Sequence, residues 1–250
     1  MNDYTVATYG DKIADVYDEM YPMRADVGAT VEALAKLAGD GPALELGIGT
    51  GRVALPLAAR GVEVHGIDAS EAIVDQMRAK PGGNDIPVTI GDFSEFTISD
   101  GKQPKRFELV YVVFNTLFQA TSQEAQVQCF RSVASNLTDE GVFLVEAFVP
   151  DQTRFTRNQN ISAGRVESGL VSVDISRHDP VNQLVASQHL FISEAGVKLY
   201  PVQVRYSWPS ELDLMAQLAG MRLRERWGDW YGAPFTASSE YHISIYEKVS

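Results

Sequence analysis

The sequence predicts a doubly wound α/β fold: a mostly parallel, seven-stranded sheet, preceded by a helical cap and interrupted after its fifth strand by an antiparallel β insertion. Three observations predict it. From residue 38 to about residue 150, short runs that are apolar throughout alternate with amphipathic helical stretches, the pattern of strands covered on both faces by crossover helices. After Pro150 the rhythm changes to β-rich segments joined by turn signals, with no helix between them. A further helix and two strands then close the chain. With 250 residues, 45% of them hydrophobic, the chain is long enough to bury one sizeable core and carry an insertion.

Residues 1–37 read as the cap. "YGDKIADVYDEMY" sets Ile13, Val16, Tyr17 and Met20 on one face by three-four spacing, and "ADVGATVEALAKLA" repeats the pattern after Pro22. Residues 38–150 and 207–250 read as the core. "ALELGIG" leads into the helix "GRVALPLAARG" and "VEVHGID" into "SEAIVDQMRAK"; "VTIGDF" is a further strand, "FELVYVVFN" leads into the helix "SQEAQVQCFRSVASNL", and "GVFLVEAFV" follows. Residues 151–206 read as the insertion, built from "GRVESGLVSVDISRHD", "NQLVASQHLFISEAG" and "VKLYPVQVRYSW". Then "PSELDLMAQLAG" supplies a helix, and "MRLRERWGDW" and "YHISIYEK" two more strands. An exposed insertion has free strand edges, and pairing of two insertions in a homodimer is one way to cover them.

A formal net charge of −12 disfavours a long phosphate backbone as partner, so no nucleic acid is expected. The opening residues lack a basic stretch followed by an apolar one, and no run approaches about 18 consecutive apolar residues. No membrane association and a cytoplasmic location are expected. The single cysteine, Cys129, lies in a helical stretch and reads as a buried reduced thiol.

Chemistry concentrates in "LELGIGTGR", Leu44 to Arg52. Gly47, Gly49 and Gly51 occupy the turn from the first strand into a helix, where glycine permits positive φ and close approach of a ligand to the backbone. Their G-x-G-x-G spacing departs from the G-x-G-x-x-G of dinucleotide-binding folds. Asp68 closes the second strand, where a carboxylate can receive both hydroxyls of an adenosine ribose in either a nicotinamide or an adenosylmethionine enzyme. Glu45, inside the first strand, and "GDF" after the third, with Asp92 placed for an adenine amino group and Phe93 for the ring, discriminate between the two.

Taken in order, "ELGIGTGR", "GIDAS" and "IGDF" resemble motifs one to three of the class I S-adenosylmethionine-dependent methyltransferases, a Rossmann-like family. "VVFNTLFQ" resembles the fourth-strand motif and "DEGVFLVEAF" the fifth. The opening "YGDKIADVYDEMY" and the β insertion resemble one branch, the small-molecule enzymes typified by N,N-dimethyltransferases of antibiotic aminosugars.

The resemblance implies S-adenosylmethionine as cofactor, no metal, and a small-molecule acceptor. It implies that backbone around Gly47 and Gly49 meets the methionine portion, Asp68 the ribose, and Asp92 with Phe93 the adenine, while Ala69 and Val113 line the pocket. Glu45 would organise the loop and reach the cofactor's ammonium through water. In the aminosugar enzymes, tyrosines in the matching opening approach the cofactor and the acceptor amine; here these are Tyr17 and Tyr9, which a single helix would present on one face.

Asn115, at the end of the fourth strand, is the candidate substrate contact, because ligands in open α/β sheets lie beyond the carboxyl ends of strands; an Asx turn is its structural alternative. His178, His189 and His242 can each act as a base near neutral pH and each also reads as structural; His178, in "SRHDP", is the candidate base. Trp227, Trp230, Tyr231 and Phe235 read as an aromatic wall of the acceptor pocket or a plug on the end of the sheet. The leading expectation is methyl transfer to a small molecule, with a lean to nitrogen over oxygen or carbon. A nicotinamide oxidoreductase and a non-catalytic nucleotide-binding module are the alternatives.

Overall fold

The structure, a computed structural model, describes residues 3–21, 26–99, 101 and 103–249. The core strands are β1 (Ala43–Leu46), β2 (Val64–Asp68), β3 (Val88–Ile90), β4 (Phe107–Val112) and β5 (Leu137–Phe148), joined late in the chain by β10 (Met221–Trp227) and β11 (Tyr241–Lys248). They lie side by side in the order β3-β2-β1-β4-β5-β11-β10. β1 to β5 are parallel; β11 runs antiparallel to both β5 and β10. The chain moves outward from β1 to β3, then crosses back to β4, which makes the carboxyl ends of β1 and β4 the switch point where such sheets bind ligands.

Helices cover both faces, as apolar strands require. Alternate residues of β4 feed two separate core layers. Leu109 and Tyr111 join Val31 and Leu34 of α3 (Val27–Ala38), Leu57 of α4 (Ala54–Ala58) and Val74 of α5 (Glu71–Arg78). Phe107, Val110 and Val112 join Phe130 and Val133 of α6 (Gln123–Asn136) and Leu212 and Met215 of α7 (Pro209–Leu218). Each such fully buried side chain contributes roughly 1.5–3 kcal/mol of transfer free energy. Cys129 lies in the second layer, buried and free, and burial pushes its thiol pKa up. Among the described residues, no helix is long and apolar enough to cross a membrane.

The first of the two cap helices expected is not continuous. It is two short helices, α1 (Thr8–Ile13) and α2 (Tyr17–Met20), separated where Val16 leaves helical geometry at φ −124° and ψ 0°. Helices this short take their stability from tertiary contacts, and here the contacts are two different anchorages. In α1, Asp11 accepts a 2.6 Å bond from Ser70 at the start of α5. In α2, Asp18 accepts a 2.7 Å bond from Thr50 in the glycine loop and pairs with Lys80. Pro22, expected to separate the cap helices, lies outside the described residues.

The insertion is a four-stranded antiparallel meander: β6 (Gln159–Glu167), β7 (Leu170–Asp179), β8 (Leu184–Ser193) and β9 (Gly196–Arg205). The β-rich stretch from Gly164 to Asp179 folds back at Ser168–Gly169, because Glu167 pairs directly with Leu170 across a two-residue turn. Ser172, Ser176 and His178 are buried on its inner face, while Val171, Ile175, Ile192 and Leu199 are exposed on the outer one. Where β9 returns to the core, the buried Arg205 donates to Gln126 of α6, Ser207, Gln183 and Glu211 of α7 at 2.7–3.1 Å.

Candidate active site

Beyond β1 the chain must turn sharply into α4, and Gly47, Gly49 and Gly51 do this at φ +69°, +55° and +74°. The turn is also sterically specified. A Cβ on Gly47 would lie 2.4 Å from Thr116 Cγ2, whereas one on Gly49 would meet nothing closer than 3.8 Å. Backbone at Gly49 therefore lies open to the cavity.

That cavity, about 850 Å³ with its open mouth included, is lined by Tyr9, Tyr17, Gly47, Gly49, Asp68, Ala69, Asp92 and Phe93, together with Thr116 and Gln119 from the turn after β4. Its size is within the range of small-molecule sites, roughly 300–1,000 Å³. Asp68 is held at both oxygens: Oδ2 accepts from Gly49 N–H and Oδ1 from Ser70 N–H, each at 2.9 Å. Burial raises its pKa, and the backbone donors oppose that rise. Each oxygen keeps a further lone pair, so the carboxylate can still receive a diol. Helix α5 does not need Asp68 as its cap, since Ser70 Oγ accepts from Ile73 N–H at 3.2 Å. Asp92 Oδ1 accepts from Ser94 N–H at 2.8 Å, an Asx turn that holds the carboxylate at the cavity wall.

Several residues expected in the site lie elsewhere. Glu45 sits beneath the glycine loop, 3% exposed, and accepts a 3.0 Å bond from Tyr111. The register Glu45↔Tyr111 across β1 and β4 turns both side chains into the core layer. Val113 is packed in that layer too and does not line the cavity. Asn115 takes the left-handed conformation at φ +66°, and its Oδ1 accepts from Phe148 N–H at 2.7 Å, tying the end of β4 to the end of β5. Its side chain is spent on that lock and lines no part of the cavity. His178 is buried in the insertion, where its Nε2 bonds the Tyr206 hydroxyl at 2.9 Å and its ring stacks on Phe155, so it is a structural histidine away from the cavity.

The aromatic loop after β10 follows the plug reading. Trp230 is buried with its N–H 3.4 Å from Glu146 Oε1, Tyr231 is exposed, and Trp227 borders a separate opening against α3. His242 is fully buried beside Phe235, and burial holds its pKa down to about 3, so it stays neutral.

Sequence reading missed residues whose roles depend on neighbours far along the chain. Arg52, directly after the third glycine, donates to Tyr17 Oη at 2.7 Å and lies 4.4 Å from the Phe114 ring centroid, 5.1 Å from Tyr17 and 5.9 Å from Tyr21. Its buried Nε has no hydrogen-bond partner among the described residues. Glu146 accepts from Phe114 N–H at 3.0 Å and so holds the ring against Arg52. Tyr21 accepts a long, 3.4 Å bond from the Tyr9 hydroxyl. The one available signal was position: Arg52 follows the glycines, and Glu146 lies two residues before the end of the fifth strand.

Burial pushes the Glu45 carboxyl from 4.5 up to about 8, and the Tyr111 bond only partly offsets it. A raised folded-state pKa contributes stability that is fully present below 4.5 and is lost as the pH rises through about 8. We therefore expect wild type to lose stability relative to Glu45→Gln across that window, by an amount on the order of a few kcal/mol. Urea unfolding of both proteins at its two ends checks this; parallel pH slopes would contradict it.

An open glycine turn, an acid with free lone pairs one strand away and a second acid with an aromatic ring beyond the third strand together fit an adenosyl group and its amino-acid tail. Residues 43–141 match the profile of the methyltransferase domain family. The chain belongs to the class I S-adenosylmethionine-dependent methyltransferases, and S-adenosylmethionine is its cofactor. In particular, it is 39% identical to the CcbJ methyltransferase from Streptomyces caelestis, with a TM-score of 0.91 over 99% of this chain and 100% of that one. It is 26% identical over 209 residues, 82% of each chain, to a cypemycin N-terminal methyltransferase from a Streptomyces species. CalS10, an amino pentose methyltransferase from Micromonospora echinaspora, shares the fold at 17% identity, with a TM-score of 0.69 over 94% of this chain and 97% of that one.

Proposed function

We propose that this enzyme methylates an aliphatic amine nitrogen of a small natural product. The observation that carries the reading is the tyrosine-lined mouth of the cofactor cavity: Tyr9 and Tyr17 both line it, although they come from different helices. Burial raises the Tyr9 pKa well above the ordinary phenol range, so Tyr9 remains a neutral hydroxyl. Its proton is directed to Tyr21, which leaves the Tyr9 oxygen free to accept a hydrogen bond from an amine in the cavity. Arg52 fixes Tyr17 and places a cation against its ring, which orders the other side of the mouth. The cypemycin enzyme, named for an N-terminal amine, supports the same chemistry; CalS10 supports the fold alone.

Bound S-adenosylmethionine, held by the Gly47 and Gly49 backbone, Asp68, Asp92 and Phe93, would supply an electrophilic methyl group to the amine lone pair. What the protein adds is alignment, and orientation of this kind is worth roughly 7–11 kcal/mol in favourable cases.

The test is transfer to two amine probes, a dipeptide with a free N-terminus and a methyl 4-aminopentoside, followed by mass and by release of the demethylated cofactor. Cofactor binding with no methylated amine would overturn the nitrogen assignment. With an active amine, Tyr9→Phe is expected to lower kcat by about tenfold or more while cofactor affinity, read by calorimetry, stays within about twofold. An unchanged kcat would remove Tyr9 from acceptor positioning.

A further inference from the structure

The insertion buries one face of its sheet and exposes the other. On the inner face Phe191 and Tyr200 pack in the core layer that also takes the cap tyrosines, and His189 is bonded to Asp174. The members of the outer face follow from the register, because residues directly opposite one another on neighbouring strands point to the same side. Counted from the end that carries the β6–β7 and β8–β9 turns, the first row across the four strands is Val166, Val171, Ile192 and Val197. The second is Ala163, Val173, Leu190 and Leu199, and the third is Ile161, Ile175, Gln188 and Pro201. Gln188 is the one polar side chain in these rows, and none is charged. A fourth row, Gln159, Arg177, Ala186 and Gln203, is polar and lies where the chain enters and leaves the insertion.

Seven of the apolar side chains in the first three rows are exposed, from 36% for Val171 to 75% for Val166. Single exposed apolar residues are ordinary on a protein surface, but a contiguous sheet face of them is not. Four strands of nine or ten residues, about 4.8 Å apart with a rise of about 3.3 Å, span on the order of 600 Å² in plan. With the relief of the side chains added, the face has the size that each partner of a standard interface buries, about 800 Å². The strand edges, by contrast, are already blunted. β6 is bulged between Ala163 and Val166, and Pro201 withholds a donor from β9 at the other edge. Pairing at the edges would also leave the apolar face in water.

We propose that the outer face of the insertion is a self-association surface, on which the sheets of two copies of this chain pack face to face. A second copy fits this face for three reasons. Sheets stack about 10 Å apart with strand directions within about 30°, so an apolar sheet is complementary to another of the same twist. Residues 151–206 carry six basic and five acidic side chains, so the chain's net charge of −12 lies outside the insertion and two insertions meet without like-charge repulsion. The third reason is symmetry. A two-fold axis lying between the sheets along the second row sets the first row of each copy on the third row of the other and leaves Arg177 with the polar row at the rim. It also carries the acidic remainders of the two chains to opposite ends of the sandwich. An axis along the strands would instead bring two Arg177 side chains together and set both remainders side by side.

Sedimentation velocity of the full chain, from about 1 to about 100 μM, tests the proposal. Wild type is expected at twice the chain mass by about 10 μM. Val171→Glu and Leu199→Glu, made separately, each place an acid on the face twice, once from each copy. Each is expected to weaken the dimer by about a hundredfold or more, with the apo melting temperature and the cofactor affinity close to wild type. Val181→Glu is the control: Val181 is 86% exposed in the β7–β8 turn, off the face, and this variant is expected to dimerise as wild type does. If one face variant fails to fold, the other decides. A wild type that stays monomeric at about 100 μM overturns the proposal. Face variants that dimerise as tightly as wild type overturn it too, and return the interface to the strand edges. Equal dissociation of Val181→Glu would also overturn it, since added charge anywhere would then suffice.

Discussion

Asp68→Ala is expected to weaken S-adenosylmethionine binding by about a hundredfold or more while leaving the unliganded fold near wild-type stability. A hundredfold is about 2.7 kcal/mol, within what two charged hydrogen bonds to a ribose diol supply at roughly 1.5–3 kcal/mol each. The small stability effect has a separate cause. Asp68 holds the N–H groups of Gly49 and Ser70, and burial already makes its charge costly, as its raised pKa shows. Removing it forfeits these bonds and relieves one desolvated charge, and the freed Gly49 N–H lies at a cavity that water can enter. Calorimetry with the cofactor and a thermal melt of the apo protein separate the two effects. Loss of affinity below about threefold would show that Asp68 serves the loop and not the ligand.

The largest effect on stability is expected from Arg205→Met, at about 3–5 kcal/mol. Arg205 is 5% exposed and spreads its guanidinium over Gln126, Gln183, Ser207 and Glu211, joining the last strand of the insertion to α6 and α7. Truncation leaves the Glu211 carboxylate, whose pKa the Gln183 and Arg205 bonds hold down against burial, without its cation. It also removes one of the two donors to the fully buried Gln126 Oε1, which keeps its 2.6 Å bond from Ser207. Urea unfolding measures the loss, and limited proteolysis should cut near residue 206 sooner than in wild type. A change under about 1 kcal/mol would mean that the junction is held by apolar packing alone.

Neither network was legible in advance, although the fold and the cofactor cradle were. The glycines of the β1–α4 turn, Asp68 and the Asp92–Phe93 pair declared themselves through spacing relative to strands that are apolar from end to end. Tyr9 and Tyr17 were singled out on the premise of one helix; they line the same cavity from two helices, because Asp11 and Asp18 anchor the cap at two places. The remaining polar candidates had no comparable marker. Asn115 and His178 carry chemistry that suits a substrate contact and a base, yet the first is occupied by the Phe148 N–H and the second by Tyr206.

By itself, the sequence determined the succession of core strands and helices along the chain and the place of the cofactor turn. An apolar run can be satisfied only by burial, and a turn with φ above zero admits little except glycine. Only the tertiary structure decided which polar side chain faces the cavity, because that direction is set by register between strands far apart in the chain. A one-residue shift in that register would turn the buried Ser176 and His178 of β7 to the outer face.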